Sequence, residues 1–74
     1  MWETKIMDEI IFIVKPSDES GFEAKALGHS IFTEGETLEE LRINIKDAVL
    51  CHFEENERPR IIRLHMVTDE VMAL

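Results

Sequence analysis

The sequence predicts an α+β fold: a four-stranded mixed sheet, ordered 3-2-1-4, with one helix on one face and the elements in the order βββαβ. Three observations predict it. A β-branched apolar run ends at a proline, an alternating segment begins at Phe22, and one stretch of helical periodicity after Thr37 leads into a second alternating segment from Arg60. The 74 residues are expected to form a single domain, 1–74. A chain of this length buries only about 60% of the surface its unfolded form exposes, which leaves room for one thin core. Such a core seldom supplies more than about 3–5 kcal/mol, which points to stabilisation by self-association.

The first strand spans Ile6 to Val14 and stops at Lys15-Pro16. Its continuous apolar run from Ile10 to Val14 suggests burial on both faces, as in a central strand. Pro16 to Gly21 is a loop of turn-forming residues. From Phe22 to Leu27 the pattern alternates until its last residue, with Phe22, Ala24 and Ala26 on one face and Glu23 and Lys25 on the other. Gly28-His29 turns the chain into a third short strand, Ser30 to Glu34. Thr37-Leu38-Glu39-Glu40 reads as a capping box: the Thr37 hydroxyl accepts an N–H near Glu40, whose carboxylate reaches back to the Thr37 N–H. Leu38, Leu41, Ile45, Ala48, Val49 and either His52 or Phe53 then form one helical stripe. Arg60 to Val67 alternates again, with Ile62, Leu64 and Met66 on one face and Ile61, Arg63, His65 and Val67 on the other. Asp69 to Leu74 is either a frayed tail or one apolar turn.

A meander running up, down and up, followed by a descending helix, sends the fourth strand up, parallel to the first. Placing it beside strand one through a right-handed crossover yields the order 3-2-1-4 and puts the most apolar strand at the centre. The far face of the sheet is then half apolar, since Ile61, Val67 and either Ile11 or Phe12 occupy it. That face is a candidate subunit interface or, equally, a partly apolar face left to solvent.

Composition narrows the function. A net charge of -8, from 16 acids against 8 bases, repels the nucleic-acid backbone and suits a basic protein partner. The longest apolar run is far short of the ~20 residues needed to span a bilayer, and residues 1–5 lack the basic start of an export signal. One cysteine and no CxxC spacing suit a reducing cytoplasm and argue against a disulfide or zinc scaffold.

No chemical machinery is expected. His29, His52 and His65 are far apart in sequence and have no carboxylate or cysteine at ligand spacing, so neither a metal nor another cofactor is expected. His52 near the helix end suits the helix dipole. Cys51, beside the apolar stripe, reads as a small buried or half-buried hydrophobe. The three glycines are isolated and build no phosphate loop. Arg58, Arg60 and Arg63 are too few to bind nucleic acid. The acids Asp18, Glu19, Glu34, Glu36, Glu39 and Glu40 gather in loops and at the helix start; such runs are usually solvated and favour a helix N-terminus, or else present an acidic surface to a basic partner.

Gly21 to Leu27, followed by Ile31-Phe32-Thr33-Glu34-Gly35-Glu36-Thr37-Leu38-Glu39-Glu40-Leu41, resembles the HicB-like antitoxin family. The pattern of that family runs through a glycine turn and T-x-G-[DE]-T-x-E-E into a helix ending in aromatic and acidic residues, here Cys51-His52-Phe53-Glu54-Glu55. The resemblance covers roughly residues 10–55. Gly35 is read as permitting the sharp strand-to-helix turn and Thr37 as the cap. The resemblance implies a partial ribonuclease-H-like βββαβ domain, usually oligomeric, that binds and neutralises a small basic ribonuclease toxin of the HicA type. Many members add a DNA-binding segment; none follows the matching stretch here, so operator binding is not expected. The family's P-G-C turn is Gly28-His29-Ser30 in this chain.

The reading is therefore a non-catalytic antitoxin, with partner contacts expected at Glu34, Glu36, Glu39 and Glu40. The alternative is an oligomeric scaffold of the same fold with no toxin partner. A ribonuclease-H-like hydrolase ranks last, because Asp8 and Glu9 are the only acids placed to contribute to a metal site in the first strand.

Overall fold

The computed structural model describes residues 8–74. Four strands, β1 (Glu9–Pro16), β2 (Phe22–Ala26), β3 (Phe32–Gly35) and β4 (Ile61–Met66), and one helix, α1 (Leu38–His52), follow one another in the order βββαβ. A short 3-10 turn, Glu55–Glu57, lies between α1 and β4. The sheet order is β3-β2-β1-β4; β1 pairs antiparallel with β2 and parallel with β4, and β2 pairs antiparallel with β3. The predicted fold class and strand order are those observed.

Element limits moved by a residue or two. The expected start of strand one at Ile6 lies outside the described residues. Lys15 and Pro16 belong to β1 rather than lying beyond its end; Pro16, paired with Phe22, is the last residue, a position where its missing N–H costs little. The third strand begins at Phe32, because the loop from Leu27 to Ser30 is closed by Ala26 N–H donating to Ile31 O at 3.0 Å. Gly28 in that loop has φ +80°, which favours glycine. Asp69 to Leu74 forms no turn and stands exposed.

The core is wholly apolar: Ile10, Phe12 and Val14 of β1, Ala24 and Ala26 of β2, Ile31, and Leu41, Ile45 and Val49 of α1 are buried. Phe53, not His52, packs against it, so the helical stripe ends one residue past the helix. Ile11, not Phe12, belongs to the far face of the sheet. It and Ile13 are half-buried by their strand neighbours rather than fully covered, which corrects the expectation of burial on both sides of β1. Cys51 is exposed, contrary to expectation. At about 100° per residue it lies roughly 200° round the helix from Val49, away from the buried stripe.

The connection from β3 to α1 is only Glu36-Thr37, so the helix starts directly above β3 and packs against β3 and β2. The return from α1 to β4 is longer and crosses to the other side of β1. Consequently the inward residues of β4, Ile62 and Leu64, are only half-buried, and Met66 is exposed.

The acidic corner and the candidate partner surface

The strand-to-helix corner is built by Gly35 and Thr37. Thr37 is the N-cap, in an extended conformation, and its Oγ1 accepts from Glu40 N–H at 3.0 Å. The returning half of the expected capping box is shifted: Glu40 Oε1 accepts from Glu36 N–H at 2.9 Å, one residue before the cap. The cause is Gly35. It has no positive φ, so it is not glycine for the sake of the turn; a Cβ built there would lie 2.7 Å from Leu41 N and 2.9 Å from Leu41 Cα. The missing side chain lets the strand end press against the first helical turn and carries Glu36 N–H over Glu40. Gly21, with φ +79°, completes the contact, since its Cβ would meet Gly35 O at 2.4 Å. Asn44 Nδ2 donates to Glu34 O at 2.8 Å and ties the helix to the same strand end.

This packing gathers carboxylates. An open recess of about 280 Å³ is lined by Ser17, Glu19, Ser20, Phe22, Glu34, Gly35, Glu36 and Glu40. Ser20 Oγ donates to Glu36 Oε1 at 3.2 Å. Of the four sequence-predicted contact residues, Glu34, Glu36 and Glu40 line the recess; Glu39 is exposed on the first helical turn outside it. Glu19 joins from the β1–β2 loop, a placement that no spacing in the sequence encodes because it depends on Gly21 docking against Gly35. With acids in the first turn of α1, the corner also complements the positive end of the helix dipole. Among the described residues no cluster of three or more His, Cys, Asp or Glu has the arrangement of a metal site. On the far face of the sheet Glu9 accepts from Arg63 Nε, and this hydrogen bond, aided by the carboxylate's charge, raises the Arg63 pKa above its usual value. Asp8 pairs with Arg60 at 3.4 Å.

At the opposite end of the helix, His29 from the β2–β3 loop meets His52 and Phe53, with ring centroids 6.0 Å and 5.2 Å away in edge-on geometry. His52 and Phe53 are themselves 4.8 Å apart. The grouping staples the loop to the helix end and joins residues 23 positions apart, which local periodicity does not reveal. No helix among the described residues is long and apolar enough to cross a membrane.

Two curated relatives match most of the chain. A UPF0150 protein of Archaeoglobus fulgidus is 56% identical over 55 residues, covering 74% of this chain and 82% of the relative. A UPF0150 protein of Thermotoga maritima is 44% identical over 66 residues, covering 89% of this chain and 93% of the relative. No family model matches the sequence, and no solved structure matches it significantly.

Proposed function

The chain belongs to the UPF0150 family, and from that premise we propose that it is a non-catalytic protein-binding module. In this reading it is an antitoxin of the HicB-like kind, acting in the cytoplasm as a homo-oligomer, that neutralises a small basic ribonuclease of the HicA type by covering it. The observation that carries the reading is the acidic corner, where Glu19, Glu34, Glu36 and Glu40 line one recess on a chain of net charge -8. Crowded carboxylates are relieved by a cationic partner, and their field accelerates its approach.

The mechanism follows from that electrostatics. Long-range attraction brings the basic partner to the corner, and apolar contacts then hold it, so association slows with added salt more than dissociation changes. Inhibition is by occlusion: the partner's substrate surface is covered and no bond is made or broken.

The test is co-expression with the product of a short basic reading frame beside this gene. The two proteins are expected to co-purify, and this chain is expected to restore growth when the neighbour is induced. Glu34→Lys with Glu36→Lys and Glu40→Lys is expected to slow association at least ~10-fold, well beyond the effect of reversing Glu54 and Glu55, which are exposed beyond the other end of the helix. Absence of both complex and growth rescue overturns the antitoxin reading and leaves the scaffold.

A further inference from the structure

The half of the sheet that α1 leaves open forms a cleft with a chemistry opposite to that of the acidic corner. Ile45, Ile62 and Leu64 form its apolar lining, and Arg42, Lys46 and Arg60 its charged members, around a volume of about 410 Å³. Three of the chain's eight Lys and Arg residues thus converge on one place in a protein of net charge -8. Arg60 is shared with Asp8, whereas among the described residues neither Arg42 nor Lys46 has a carboxylate within 4.0 Å. A cationic, apolar cleft recognises an extended segment that is acidic at one part and apolar at the next.

The chain itself carries such a segment. Val67 N–H donates to Val14 O at 2.8 Å and is the last anchored residue; beyond it Asp69-Glu70 is followed by Val71, Met72 and Leu74. The three apolar side chains are 93%, 77% and 124% exposed, so this segment does not occupy the cleft of its own molecule.

We propose that residues 68–74 of one copy dock in the Arg42, Lys46, Arg60 cleft of a second copy, reciprocally, so that two identical arm-and-cleft contacts close a two-fold dimer. Asp69 and Glu70 face the cations, while Val71, Met72 and Leu74 cover Ile62 and Leu64. Each contact removes apolar surface from water on both partners, and symmetry doubles the buried area. The proposal does not rest on the antitoxin reading, and its test contains no toxin.

The 74-residue chain is expected to sediment as a dimer at about 10 μM, where mass action makes association visible. Val71→Ser with Met72→Ser and Leu74→Ser is expected to weaken the dimer at least tenfold. Asp69→Lys with Glu70→Lys should do the same, as should Arg42→Glu with Lys46→Glu; all four of these positions are exposed, so the domain keeps its fold. Mixing the two charge-reversed chains is decisive. In the mixed pair both contacts are again opposite in charge, so a heterodimer is expected to form where neither variant pairs with itself. A monomeric wild type overturns the proposal, as do reversals that leave association unchanged. So does failure of the mixed pair to assemble, the result expected if each arm docks in its own molecule or if the cleft serves another protein.

Discussion

The inward faces of β1 and β4 are both apolar and have different fates. On β1, Ile10, Phe12 and Val14 are sealed beneath the helix; on β4 their register partners Ile62, Leu64 and Met66 are half-buried or exposed. Hydrophobicity is not what separates them. The two-residue connection from β3 sets α1 down over β3 and β2, and a single 15-residue helix is too narrow to cover β4 as well. The pattern of a strand states which residues turn inward, whereas coverage depends on where the neighbouring element starts.

Core truncation tests this contrast most severely. Phe12→Ala, at a side chain fully removed from water, is expected to cost about 3–5 kcal/mol in chemical denaturation. Leu64→Ala, its partner across the β1–β4 pairing, is expected to cost about 1–2 kcal/mol, because its side chain gains only part of the full transfer free energy. Equal losses would show that β4 is as well covered as β1.

The junction that places the helix is the next point of attack. Gly35→Ala drives a methyl into the Leu41 backbone, which has no side-chain freedom to yield, and is expected to cost about 2–3 kcal/mol. Gly28→Ala meets open space and suffers only from the positive φ, about 1–2 kcal/mol. If the order were reversed in unfolding midpoints, close packing at the corner would not be what seats the helix over β3.

The smallest effect sharpens the same junction. Thr37→Ala removes the acceptor for Glu40 N–H and is expected to cost about 0.5–2 kcal/mol, while Glu55→Ala, exposed beyond the helix, should leave the midpoint almost unchanged. Indistinguishable midpoints would move the helix start away from Thr37.

Local chemistry was enough to read the elements of this protein. Period-two alternation at Phe22–Ala26 and Ile61–Met66, the helical stripe from Leu41 to Val49 and the Thr37 cap are each contained in a few adjacent residues, and chirality with short connections limits their assembly to the order 3-2-1-4. Glu34, Glu36 and Glu40 were legible as one acidic site for the same reason: they lie within seven positions of one another. Tertiary structure decided what distance in sequence conceals. It brought Glu19 to the corner through the fit of Gly21 against Gly35, and chose Phe53 over His52 for the core. It turned Cys51 to solvent, moved the Glu40 hydrogen bond to Glu36, and left the inner face of β4 open between Arg42, Lys46 and Arg60. Each of these outcomes depends on how closely two backbones approach, and that separation is set by packing between remote segments rather than by the periodicity of either one.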